Sequence, residues 1–244
     1  MRITVLTLFP EMFEGFLNSS IIKRIIDKKL VEVKLVDIRD YSKDKHRHVD
    51  DTPYGGGAGM LMKVDVVYDA LMANKTENSH VMLTSPKAYP LKQADLVRLS
   101  KKEDIVIICG HYEGIDARIE NFVDEKLSIG DYVLTGGELA SMVLIDGVSR
   151  LIDEGISADS LLEESYNNDL LEYPQFTRPV EFMNMKVPDV LQNGNHKEIK
   201  KFNLKNSLKE TMTYRPDLLE HHQLTDQEKE LLEEINKEDK DIVE

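Results

Sequence analysis

The sequence predicts an α/β protein: a mostly parallel sheet covered on both faces by helices, followed by a small C-terminal helical domain. Three observations carry this. Short apolar runs alternate with helix-like segments through the first 150 residues, the pattern of strands joined by helical crossovers. Glycines gather where those runs end. After about Asp153 the alternation dissolves into a polar, acidic, proline-punctuated stretch, and only helical patterns follow.

Taken in order, RITVLTLF reads as a buried strand, and PEMFEGFL and SIIKRIIDKKL as helices. VEVKLVDI alternates as a strand does. The glycine-dense loop DDTPYGGGAGM comes next. VDVVYDALM reads as a short helix and HVMLTS as a strand ended by Pro86. LKQADLVRLSKK reads as a helix, DIVIICG as a buried strand and YEGIDARIENFV as helical. KLSIGDYVL reads as a strand and GELASMVLIDGVSRLI as a long helix. DEGISADSLLEESYNNDLLEYPQFTRP reads as a linker. HKEIKKFNLKNSLKETM is a basic amphipathic helix, and a short helix follows Arg215-Pro216. Thr225 and Glu228 have the T-x-x-E spacing of a capping box for a last, acidic helix. The expected boundaries are an α/β domain at 1–158, a flexible linker at 159–176 and a helical domain at 177–244.

The 244 residues are 41% hydrophobic and 7% aromatic, enough for a core. The first apolar run, ITVLTLF, is too short to span a membrane and does not resemble a signal peptide, which points to a soluble cytoplasmic protein. Cys109 is the only cysteine. It lies inside an apolar run, so it reads as a buried thiol rather than a nucleophile, and neither a disulfide framework nor a cysteine metal site is available. The net charge of −14 argues against nucleic-acid binding, which favours Lys and Arg. That charge is uneven. Residues 225–244 hold nine acids and three bases, while KDKHRH (43–48) and HKEIKK (196–201) are basic. His46 and His48 without a third ligand are a weak metal signal; a basic strand end facing RNA fits them better.

Of 13 glycines, nine fall in three groups: 55–59, then Gly110 and Gly114, then Gly130, Gly136 and Gly137. Each group lies at or near a predicted strand end, where open α/β sheets bind ligands. Any one of them is explained as an ordinary turn; three together point to a shared site. No Lys or Arg follows these glycines, and neither the dinucleotide nor the phosphate-loop motif is present. Exposed backbone suits a flat heteroaromatic group such as adenine better than a polyphosphate. A nucleotide-binding oxidoreductase is excluded by the missing G-x-G-x-x-G.

The ordered motifs VDDTPYGGGAGM (49–60), CGHYEGIDAR (109–118), SIGDYVLTGGELASMVLID (128–146), LLEYPQFTRP (170–179), VPDVLQNGNH (187–196) and RPDLL (215–219) resemble the bacterial tRNA (guanine-N1)-methyltransferases of TrmD type. The similarity runs over nearly the whole chain. It implies a SPOUT-class fold with a deep trefoil knot, S-adenosyl-L-methionine as cofactor, and a homodimer whose active site is shared between subunits. The implied substrate is tRNA, methylated on the guanosine 3′-adjacent to the anticodon. The family's cofactor positions fall on Leu83, Thr84, Pro86, Gly110, Tyr112, Glu113, Ile129, Gly130, Asp131, Tyr132, Val133, Leu134, Gly136 and Gly137. On this reading a side chain at Gly136 or Gly137 would occupy the adenosine's volume. Glu113 and Asp116 also read as first-turn helix acids.

Methylating guanine N1 needs a base to remove its proton and a cation for the charge developing on O6. Arg150 matches the family's catalytic arginine; a cation at a helix C-terminus is the plainer account. The base is where this chain departs. The family's P-G-V-L-G segment is absent after Arg150, and its catalytic aspartate position falls on Glu164. Glutamate places the carboxylate about one methylene further out, and about 1 Å of misplacement can cost roughly a hundredfold in rate. Asp169 or Asp159 are the alternatives, and a merely solvated linker accounts for these acids equally well. The basic helix carries Lys197, Lys200, Lys201, Lys205 and Lys209 for RNA, or simply packs through Ile199, Phe202, Leu204 and Leu208. The departures leave a second reading, a divergent paralogue with weak or no methyl transfer. No metal ligands are assigned, and a Mg²⁺ requirement is not readable.

Overall fold

A computed structural model describes residues 1–152, 165–166 and 169–243, with side-chain environments given up to residue 238. The chain divides into two compact units, Met1–Ser157 and Ala158–Glu244.

The first unit is built on five strands: β1 (Arg2–Thr7), β2 (Glu32–Asp37), β5 (His80–Thr84), β6 (Asp104–Ile108) and β7 (Glu125–Leu127). They pair in the order β2-β1-β6-β5-β7, every pair parallel. Alternation along the strands splits the core into two layers. Leu6, Val81, Leu83, Val106 and Ile108 face α3 (Val64–Asn74) through its Val66, Val67, Ala70 and Leu71. Ile3, Val5, Met82, Ile105 and Ile107 face the other way. They pack there with Ile25 of α2 (Ser20–Asp27), Leu99 of α4 (Gln93–Leu99), and Leu144, Ile145 and Val148 of α5 (Glu138–Ser149). A strand buried on both faces has no reason to alternate in polarity, which is why residues 105–108 of β6 are apolar throughout. A short helix α1 (Glu14–Leu17) follows the 3₁₀ turn at Pro10–Phe13, and β3 (Asp50–Asp51) and β4 (Leu61–Met62) close the glycine-dense loop as an antiparallel pair.

Two expected elements differ. The strand predicted over KLSIGDYVL stops at Leu127. The Ser128 hydroxyl bonds Gly130 at both its N–H (3.3 Å) and its carbonyl (3.1 Å), so local side-chain bonding replaces the ladder. Gly130 then adopts φ +149°, which closes the extended run. The helix predicted over YEGIDARIENFV shrinks to a 3₁₀ turn, Ala117–Phe122. Tyr112 at φ +57° and Gly114 at φ +130° cannot be helical, and the Asp116 carboxylate accepts the Arg118 N–H (2.9 Å) to cap the turn.

The second unit holds α6 (His196–Tyr214), α7 (Pro216–His221) and α8 (Asp226–Val243), after a short antiparallel pair, β8 (Glu181–Phe182) and β9 (Met185–Lys186). Leu170, Leu208, Leu231 and Ile235 form its buried cluster. The capping box is present: Glu228 N–H donates to Thr225 Oγ1 (3.3 Å) and Thr225 N–H to Glu228 Oε2 (2.7 Å).

Candidate active site

The C-terminal ends of β5, β6 and β7 open into a cleft of about 430 Å³. Its apolar lining includes Leu83, Ile115, Leu127 and Ala140; residues 110–114 and 128–137 contribute Gly110, Gly114, Gly130, Gly136 and Gly137, which present bare main chain. Thirteen of the fourteen candidate cofactor residues line it: Leu83, Thr84, Pro86, Gly110, Tyr112, Glu113, Ile129, Gly130, Tyr132, Val133, Leu134, Gly136 and Gly137. Asp131 does not. Tyr132 N–H donates back to Gly130 carbonyl (2.9 Å), and this tight turn leaves Asp131 exposed to solvent.

The glycine pair is explained differently from the expectation. A Cβ on Gly137 would lie 1.9 Å from Thr84 Oγ1, 2.9 Å from Cys109 Cα and 3.0 Å from Gly110 N. One on Gly136 would meet Glu138 Oε2 at 2.3 Å and His111 Nδ1 at 2.7 Å. Protein atoms, before any ligand, exclude side chains here. The pair lets α5 start directly against the ends of β5 and β6. Gly137 N–H donates to Gly110 carbonyl (2.8 Å), and Ser141 Oγ donates to Gly137 carbonyl (2.8 Å).

A buried polar set holds this junction. Glu138, 2% exposed, accepts the Thr7 hydroxyl (2.8 Å). Thr7 Oγ1 in turn accepts the Phe9 N–H (2.9 Å). Cys109 is fully buried, and burial pushes its thiol up well beyond the ordinary range, so it is no nucleophile. It lies 3.1 Å from the Ser141 hydroxyl. The His111 ring stands between Phe9 and Tyr112, with centroids 4.9 and 5.0 Å away, and its buried Nδ1 has no hydrogen-bond partner. Sequence reasoning passed over His111, Thr7 and Glu138, because nothing in their spacing marks a network assembled from three separate segments.

Arg150 is not among the residues that line this cleft. Arg150 is the C-cap of α5. Twelve residues at about 1.5 Å each put it roughly 18 Å from Gly137. Glu164 and Asp159 lie outside the described residues. Asp169 is exposed at φ +55°. Glu113 packs its side chain towards Gly59, and Asp116 pairs with Arg118 (2.6 Å), consistent with the plainer capping role for Asp116. The basic loop is locally neutralised: Arg47 pairs with Asp40, Lys43 with Asp69 (2.7 Å) and His48 with Asp44 (2.6 Å). Among the described residues, no group of three or more His, Cys, Asp or Glu is placed to hold a metal ion, and no helix is long and apolar enough to cross a membrane.

A parallel sheet with a small-ligand cleft at its carboxyl edge, walled by backbone, defines an α/β ligand-binding protein whose site suits a flat heteroaromatic group. Comparison with known proteins narrows this. A sequence profile described as tRNA (Guanine-1)-methyltransferase TrmD matches residues 1–221. The tRNA (guanine-N(1)-)-methyltransferase of Dictyoglomus turgidum is 49% identical over 98% of both chains. That of Macrococcus caseolyticus is 51% identical over 97% of this chain and 99% of its own. That of Caldanaerobacter subterraneus subsp. tengcongensis is 52% identical, with 94% and 96% covered. The chain belongs to the TrmD family of tRNA (guanine-N1)-methyltransferases. The divergent, weakly active reading finds no support in these relatives.

Proposed function

We propose that this methyltransferase binds S-adenosyl-L-methionine in the cleft and methylates N1 of the guanosine 3′-adjacent to the anticodon of tRNA. We further propose that it works as a cytoplasmic homodimer with its active site at the subunit interface. The observation that carries the reading is the cleft itself. Its volume suits a nucleoside-sized ligand. Its glycines offer backbone donors and acceptors beside polar side chains such as Thr84, Glu113 and Ser128, and the orphaned buried His111 Nδ1 lies in a lining residue. The reading carries with it the family's trefoil knot, supported by the close crossing of residues 136–137 against 110–111.

When bound, S-adenosylmethionine supplies a methyl group on a sulfonium already activated for displacement. This chain's residues do the rest. Leu83, Ile115 and Leu127 exclude water, and the 128–137 backbone orients the ligand, so that much of the barrier is met by positioning. A carboxylate of the 164–169 segment, Glu164 or Asp169, takes the N1 proton, and the Arg150 guanidinium stabilises the charge growing on O6. Arg150 stands about a helix length from its own cleft. That distance favours the dimer, in which Arg150 serves the partner's site.

Calorimetry with S-adenosylmethionine, paired with methyl incorporation into tRNA, tests the proposal. Arg150→Ala is expected to lower turnover on the order of a hundredfold or more while cofactor affinity stays within about threefold. Equal loss of both would contradict the assignment. Glu164→Asp is expected to keep or raise activity, and a large fall would remove Glu164 as the base.

A further inference from the structure

The C-terminal unit does more than present lysines. Ser207 and Thr211 are spaced by four residues and so form one stripe along α6, which ends at its C-cap, Arg215. Leu170 and Leu171 lie against that stripe. Leu170 is buried against Leu208, Leu231 and Ile235. Leu171 N–H donates to Thr211 Oγ1 (2.9 Å), and Leu171 carbonyl accepts the Ser207 hydroxyl. Thr211 Oγ1 donates in turn to Ser207 carbonyl (2.7 Å), which leaves its lone pairs for Leu171. Helix side chains thereby satisfy both backbone groups of an extended residue, the work a neighbouring strand would otherwise do.

The segment is also closed on itself. Tyr166 N–H donates to Leu170 carbonyl (2.9 Å), and Glu172 N–H to Ser165 Oγ (2.9 Å). Tyr166 at φ +72° and Asp169 at φ +55° are both left-handed. Such non-glycine conformations cost energy and persist only where surroundings hold them. At the open end of the loop stands Arg215. Its Nε and Nη2 donate to both Asp217 carboxylate oxygens (2.8 and 2.6 Å), which fixes the guanidinium plane. Its Cζ lies 5.7 Å from the centroid of the Tyr166 ring.

We propose that this stripe of α6 is a platform that fixes the conformation of the carboxylate-bearing loop, with Thr211 and Arg215 as positioning residues for methyl transfer. The inference rests on the reading that the proton acceptor is Glu164 or Asp169. Arg215 acts through Tyr166 and needs no contact with substrate. Loosening it lets the loop wander by an ångström or more, which lowers turnover while leaving both binding steps alone.

The test uses the full chain and measures kcat, the KM for tRNA, cofactor affinity by calorimetry, and Tm. Arg215→Met, at a half-exposed site, is expected to lower kcat about tenfold or more with KM and cofactor affinity within about threefold. Tyr166→Ala should do the same, Tyr166→Phe should retain wild-type kcat because the ring is kept, and Arg215→Met/Tyr166→Ala should be no worse than either alone. Thr211→Val, which keeps shape and removes the acceptor, should follow Arg215→Met. Wild-type kcat in Arg215→Met, or a fall matched by equal changes in KM or cofactor affinity, would overturn the proposal. Glu164→Gln and Asp169→Asn separate the two readings. Full activity in both would refute the base assignment and with it the positioning role of Arg215, whatever Arg215→Met does. Inactive Glu164→Gln with normal Arg215→Met would overturn the platform and leave the base assignment standing.

Discussion

At the scale of single residues, the close contacts at Gly137 make a sharp prediction. Gly137→Ala forces a Cβ into Thr84 Oγ1 and the Cys109 backbone. Overpacking of this kind costs about 2 kcal/mol or more, and urea denaturation without any cofactor is expected to show it. A variant of wild-type stability that merely loses cofactor would mean that ligand, not protein, demands the glycine. Asp104, 7% exposed at the start of β6, makes a second. Arg2 donates to both its oxygens (2.9 and 2.8 Å), Thr76 Oγ1 adds a third bond (2.8 Å) and Ser79 a fourth, which hold the carboxyl down at about 2. A depressed carboxylate stabilises the fold above its unfolded value of about 3.9 and loses that contribution as pH falls towards 2. Asp104→Asn is expected to cost about 2 kcal/mol at neutral pH and to flatten the stability profile between pH 4 and 2; an unchanged acid limb would refute this. The sequence located the glycine pair at the site but not the protein contacts that crowd it. Its partners Thr84 and Cys109 are far away in the chain, and only the folded sheet brings them to it.

Among the elements, α6 and α8 correct an expectation about RNA. Lys201 pairs with Glu234 (3.1 Å), Lys205 with Glu234 and Glu238 (3.4 and 2.6 Å), and Lys209 with Glu238 (2.9 Å). Three of the five helix lysines are therefore engaged by the acidic last helix. Lys197 and Lys200 are exposed and make no ion pair among the described residues. Lys197→Ala and Lys200→Ala are expected each to weaken tRNA binding and to reduce its salt slope by about 1; Lys201→Ala and Lys209→Ala should change the slope less. The reverse ranking in a filter-binding salt series would place the RNA on the α8 side. The helices and buried strands were legible because periodicity reports which face is apolar. Residues 109–118 and 128–137 were not, since their conformation is set by left-handed residues and by Ser128 and Asp116 side-chain bonds, which leave no periodic trace.

For the molecule as a whole, the separation of Arg150 from its own cleft is the fact that matters. If each active site draws Arg150 from the partner subunit, two inactive variants can repair one another. Arg150→Ala mixed with a variant broken in the cleft, such as Gly137→Ala, should recover up to about a quarter of wild-type activity after subunit exchange, because half the dimers then carry one intact site. No recovery, with exchange verified, would place Arg150 in its own subunit's site. No motif spacing contains this information. The cleft residues were legible one by one, whereas the reach of a helix is a property of the folded object.

The backbone walls of the cleft bear on drug resistance. A compound held there would rest its hydrogen bonds on peptide groups, which mutation cannot exchange. Two of the positions nearest to them, Gly136 and Gly137, have no room for a side chain. Escape from such an inhibitor would have to come from the rim, where Tyr112, Tyr132 and Val133 project into solvent.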